Sequence, residues 1–158
     1  MAIEQDLERW LFASVSKHFD DNKQTLPLYI EGQKRFTRSE KDFLELRMDG
    51  PILSEESKDY WRVYIEINVL VQSAEDEEDY HRIHKDVGIA IAAFTKRISV
   101  FKYGTGAGDD QSFVGCLMRQ DGRRGRERIQ VNHFGRIDPK TPLFQSTVEA
   151  HYILCHRV

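Results

Sequence analysis

The segment Tyr60 to Gln72, YWRVYIEINVLVQ, constrains this chain more than any other. Trp61, Val63, Ile65, Ile67, Val69 and Val71 occupy alternate positions, and Tyr60, Arg62, Tyr64, Glu66, Asn68 and Gln72 fall between them, with Leu70 as the one apolar exception. Period-two alternation sustained this far predicts a strand of an antiparallel sheet with one buried face. At the usual rise it spans ~40 Å, long for a small domain, and needs a partner of similar length. Thr147 to Val158 supplies one: Val148, Ala150, Tyr152, Leu154 and Val158 alternate with Thr147, Glu149, His151, Cys155 and Arg157.

A chain of 158 residues corresponds to a single domain over 1–158, large enough to bury a core without staples. Its net charge of -3 gives no general attraction for a polyanion, so any nucleic-acid contact is local. The opening MAIEQDLERW carries acids where a signal peptide carries bases, and no apolar run has the length of a membrane span. The expectation is a cytoplasmic protein with no membrane partner. Two cysteines, Cys116 and Cys155, suit a reducing compartment.

Around these two strands the remaining elements are shorter. Ile3, Leu7, Trp10, Leu11, Val15 and Phe19 lie at helical spacing and predict an amphipathic helix ended by Asp20, Asp21 and Asn22. Leu26 to Gly32 reads as a short strand with Pro27 at its start, and Phe43 to Met48 as a second, broken by Asp49-Gly50-Pro51. Residues 52–59 read as a charged connection. After Gln72, Ser73 stands three residues before Asp76 and further acids follow, which predicts a helix N-terminus there; Tyr80, Ile83, Val87, Ile91 and Phe94 carry the helix to about Thr95. Ile98 to Tyr103 predicts a strand, and Phe113 to Arg119 with Glu127 to Phe134 two more around the Asp121-Gly122 turn, a protruding hairpin arm over about 113–134. The fold class is α+β, an antiparallel or mixed sheet with helices packed on one face plus that arm.

Motifs with catalytic or ligand chemistry are weak. Gly104, Gly106 and Gly108 lack the lysine-serine pair and helix of a phosphate loop, and Asp109 and Asp110 repel an anion. His81 and His84 stand one helical turn apart with Glu77 another turn back, beside the apolar stripe, without zincin spacing. Cys116, Cys155, His133, His151 and His156 are spread over three candidate strands, and a site assembled from them stays open. Ser14, Ser16 and Ser146 are in no recognisable nucleophile setting. The expectation is a non-enzyme with no cofactor and no metal.

Charge placement is more informative. Arg119, Arg123, Arg124, Arg126 and Arg128 crowd the arm, and Glu75, Asp76, Glu77, Glu78 and Asp79 crowd the start of the second helix. A solvated hairpin tip and an acid-favoured helix end account for these without function. Alternatively they are complementary patches that fix register between copies of one chain, or the arginines face DNA phosphates.

The order of elements resembles the tail-terminator proteins of long-tailed bacteriophages, the lambda-type minor tail protein U family. The resemblance is carried by the opening helix (Ile3 to Phe19), the short strands (Leu28 to Gly32, Phe43 to Met48), the Asp59-Tyr60-Trp61 start of the long strand, the helix from Glu75 to Phe94 and the final strand from Ser146 to Val158. Residues 104–145 are longer than that family's minimal form. The resemblance implies a homo-oligomeric ring, usually a hexamer, assembled in the host cytoplasm and placed at the neck end of the virion tail. It implies the tail tube protein and the head-tail connector as partners, passage of DNA through the ring without specific binding, and no catalytic residues. Other neck proteins, a small-ligand-binding domain or enzyme, and a nucleic-acid-binding accessory protein are the alternatives.

Overall fold

The computed structural model describes residues 3–31, 42–57, 60–74, 81–102, 112–120, 128–138 and 140–157. The elements are α1 (Ile3–Asp21), β1 (Leu28–Ile30), β2 (Phe43–Ser57), β3 (Tyr60–Ala74), α2 (Arg82–Thr95), β4 (Ile98–Lys102), β5 (Ser112–Gln120), β6 (Gln130–Asp138) and β7 (Thr141–Arg157). The class is α+β. The sheet runs β1-β2-β3-β7-β5-β4, with β6 also on β7, and is mixed because β1 is parallel to β2.

The long strand has the expected partner: β3 pairs with β7 along its whole length, from Tyr60 opposite Arg157 to Ala74 opposite Leu143. Alternation sorts the faces as the sequence predicts. Val63, Ile65, Ile67, Val69 and Val71 are all buried, in one core cluster with Leu44 and Leu46 of β2 and with Val148, Ala150, Tyr152 and Leu154 of β7. Each buried Val, Leu or Ile among them contributes ~1.5–3 kcal/mol by leaving water.

Both helices bury their apolar stripes in that same cluster, through Leu7, Trp10, Leu11, Val15 and Phe19 of α1 and Ile83, Val87, Ala90, Ala93 and Phe94 of α2. Helix α2 packs on β3 and β7, whereas α1 touches β1 and β2 near one edge and β4 at the other. In a flat sheet β2 and β4 lie four strand spacings apart, ~19 Å, too far for one helix of ~10 Å diameter. The sheet therefore curls round α1. The helices are tied by the edge-to-face pair Phe19–Phe94, at 5.0 Å between centroids, and by His18 Nε2, 2.7 Å from the Ala93 carbonyl oxygen. At the edge the Phe101 N–H of β4 donates to Ser14 Oγ of α1 at 3.0 Å, and the Tyr152 hydroxyl donates to the Phe94 carbonyl.

Four boundaries differ from the sequence reading. First, β2 does not stop at Asp49-Gly50-Pro51, and 52–57 is strand. A bulge between Asp49 and Ile52 takes up Gly50 and Pro51, and a bulge is where a strand tolerates proline's missing N–H. Gly50 has φ +108, and a Cβ there would lie 3.2 Å from the Tyr64 carbonyl oxygen, so the bulge requires glycine. Second, Ser73 caps no helix. It lies in β3, its buried hydroxyl donates to Asp86 of α2 at 2.5 Å, and α2 begins at Arg82 with no acid in its first turn.

Third, β5 and β6 do not form a hairpin with each other among the described residues. Both run antiparallel to the same edge of β7, Gln120 opposite His151 and Gln130 opposite Glu149. Gln120 and Gln130, ten positions apart in the chain, thus face β7 residues two positions apart. The described parts of the two strands follow one another along β7, and the turn of the arm expected over 113–134 lies outside the described residues. Fourth, β7 begins at Thr141, so the hairpin present is β6–β7, with Asp138 opposite Thr141. Its end projects, because every β6 residue from His133 to Asp138 is exposed.

Candidate functional site

Catalytic chemistry is tested first by the histidines. The His84 and His133 rings are 5.1 Å apart and the His81 and His84 rings 6.0 Å, so α2 and β6 bring together three residues that the sequence scatters. His133 Nδ1 lies 2.7 Å from Ser146 Oγ, a base–hydroxyl distance. Ser146 is fully buried, however, so a substrate carbonyl has no path to it. Among the described residues no three His, Cys, Asp or Glu side chains are grouped to hold a metal ion. His151 points from the opposite sheet face, opposite Glu66, and Cys116 is half-buried with its sulfur 3.8 Å from Ser99 Oγ. Glu77, the 104–110 glycine segment and the side chains of Cys155 and His156 lie outside the described residues.

Among the described residues two carboxyl groups are buried, those of Glu45 in β2 and Asp86 in α2. Asp86 is 5% exposed, and burial pushes its pKa up, with Asp42 adding to the rise; the hydrogen bond from Ser73 and the charges of Arg82 and Lys85 oppose it. It joins α2 to β3. Asp42 anchors the same corner by accepting the Ala74 N–H at 2.6 Å and pairing with Arg82 at 3.4 Å.

The face of the sheet turned away from the core cluster is polar and ordered. Arg128 donates to Gln130 at 2.7 Å, Gln130 to Asn132 at 3.2 Å, Asn132 to Thr147 and Glu149 at 3.4 Å, and Asn68 to Glu149 at 3.2 Å. This ladder crosses β6, β7 and β3 and holds their amide and carboxylate groups in one hydrogen-bonded network. Beyond it, one register row carries Ile52, Tyr64, Ile153 and Met118 across β2, β3, β7 and β5, with Ile52 67% and Met118 57% exposed. The row is exposed at its two ends and buried at Ile153, which is 5% exposed. The row is invisible in the sequence because its members come from four strands.

The charged candidates divide. Arg119 is half-buried in β5 opposite Tyr152, and Arg128 is exposed at the start of the polar ladder. Arg123, Arg124, Arg126, Glu75, Asp76, Glu77, Glu78 and Asp79 lie outside the described residues. Their anchors are nevertheless placed. The arginine segment leaves and rejoins the sheet opposite His151 and Glu149, whereas the acidic segment leaves from Ala74, opposite Leu143. Six to eight positions of β7 separate these anchors, ~20–27 Å.

Comparison with known proteins finds no family model that matches the chain and no match among curated proteins.

Proposed function

We propose that this chain is a structural subunit of a closed homo-oligomeric ring, of the tail-terminator type, that caps the tail tube of a long-tailed bacteriophage. In this reading the ring occupies the growing end of the tube, blocks further addition of tube subunits, and offers its other surface to the head-tail connector. Assembly takes place in the host cytoplasm, the ring ends in the virion at the neck, and DNA passes through it without specific binding. The chemistry asked of the protein is association, with no bond made or broken.

The observation that carries the reading is the separation, along β7, of the points from which the two charged segments leave the sheet. The described residues at which the two segments join the sheet are anchored ~20–27 Å apart along β7, so the segments start from different parts of the sheet. Between copies of the chain, a contact joining two different surfaces brings such patches together, and repetition of that contact closes a ring. The long β3–β7 pair and the polar face ladder further support it, since they supply a stiff platform with preorganised contact groups.

The test is reversal of Arg123, Arg124 and Arg126 to glutamate. The monomer should stay folded, while oligomer mass falls and electron micrographs show tails of uncontrolled length or tails without heads. Salt should weaken the wild-type assembly gently, short of the steep dependence of a multi-phosphate DNA contact. A folded variant whose tails have normal lengths and join heads normally would refute the charge argument.

A further inference from the structure

Two features far apart on the chain fit each other. The first is the end of the β6–β7 hairpin, where Phe134 is 62% and Ile137 49% exposed. The end is ordered: the Lys140 N–H donates to Asp138 at 3.0 Å across the turn, and the Arg136 guanidinium lies 5.7 Å from the Phe144 ring centre. A structured hairpin that holds two large apolar side chains in water lacks a surface to cover them. It also carries the exposed cations Arg136 and Lys140.

The second is a cavity of about 220 Å³ between α1 and β2, walled by Phe12, Leu46, Met48 and Ile65, with the exposed carboxylates Glu8 and Glu31 also lining it. That is below the ~300–1,000 Å³ of ordinary small-molecule sites and is the scale of one inserted side chain. Apolar walls with two carboxylates suit an aromatic or aliphatic group flanked by cations.

The hairpin cannot fill the cavity of its own chain. His133 is level with Ser146 and Val71, and the cavity's Ile65 lies six residues further along β3, ~20 Å. The cavity's β2 wall is three strand lanes from β6, a further ~14 Å across the sheet. Helix α2, packed on β3 and β7, stands between them.

We propose that the β6–β7 hairpin end of one subunit inserts Phe134 into the α1–β2 cavity of a second copy, with Arg136 and Lys140 meeting Glu8 and Glu31; the proposal rests on the ring reading and names its contact. The two surfaces differ, so the contact is head-to-tail, leaves a free hairpin and a free cavity at the ends of any open chain, and is satisfied throughout only on closure.

The experiment measures subunit association by sedimentation and native mass spectrometry in full-length variants whose melts match wild type. Phe134→Ala removes the inserted group and should weaken association ~30-fold or more, as for a central interface aromatic. The pairs Glu8→Lys with Glu31→Lys, and Arg136→Glu with Lys140→Glu, should each weaken it about tenfold or more, and all four together in one chain should recover most of the loss. If Phe134→Ala and both reversal pairs assemble at wild-type concentrations, the hairpin contact is refuted while the ring survives on other surfaces. If the four reversals together are no better than either pair, the pairing of these charges is refuted. A wild-type chain that stays monomeric at every concentration and beside tail tubes refutes the ring reading and the contact with it.

Discussion

Substitution of Ile67 tests the architecture most directly. Its side chain has 0% exposure, faces Met48 on β2 and Ala150 on β7 in register, and belongs to the cluster that receives both helices. Ile67→Ala removes three carbon groups, ~2.4 kcal/mol of transfer free energy at ~0.8 kcal/mol each, and leaves a cavity whose cost brings the loss to ~3–5 kcal/mol. Ile67→Asp loses the same contacts and adds a carboxyl group with no partner in the apolar face, so its cost exceeds that of alanine by several kcal/mol. Against a typical total of ~5–15 kcal/mol, the alanine variant should fold with a reduced urea midpoint and the aspartate variant should be largely unfolded in water. Glu66→Gln, one residue away on the other face and half-buried opposite His151, should shift stability by ~0.5 kcal/mol or less. Equal losses at 66 and 67 in urea melts would refute the assignment of faces.

Two pH effects follow from buried titratable groups. Burial raises the Asp86 carboxyl above its ordinary 3.8, so its contribution is fully present below that value and is lost as pH rises through the raised folded value; Asp86→Asn should therefore gain on wild type as pH increases from about 4, and a pH-independent difference in urea midpoints would refute this. Burial also lowers the pKa of His18, outweighing the raising effect of its bond to the Ala93 carbonyl, so its contribution is full above 6.5 and is lost as pH falls through the lowered folded value. Wild-type melting temperature should drop below pH 6.5 more than that of His18→Gln, and parallel profiles would refute it.

The sequence makes β3 and β7 legible because alternation over more than ten residues has no other structural meaning, and α1 is legible for the equivalent helical reason. What defeats local reading is competition with the ladder. Asp49-Gly50-Pro51 has turn chemistry, yet the gain from pairing Ile52, Leu53 and Ser54 with β3 carries β2 through it as a bulge. Ser73 has the spacing of a cap, yet it continues β3 and spends its hydroxyl on Asp86. Asp121-Gly122 between two strands suggests a hairpin, yet both strands find β7, and that choice depends on residues 151–153 and 144–149, which no local window contains. The charged candidates are visible as composition. Exposure of Phe134 and Ile137 is set by where β6 outruns its neighbours, and the cavity by where α1 meets β2, so neither leaves a mark in the sequence.

These differences have a common origin in β7. One of its edges pairs with β3 from Leu143 to Arg157, and the other is divided between β5 and β6. The β6–β7 end, from His133 to Asp138, is left exposed. The 220 Å³ cavity lies across the sheet, where β2 bulges under α1. A subunit with its projecting hairpin end along one side of β7 and its cavity beyond β3 is directional in the plane of the sheet. Such a subunit meets its own copies through unlike surfaces, and whether repetition gives a closed ring or an open filament depends on the rotation that one contact imposes.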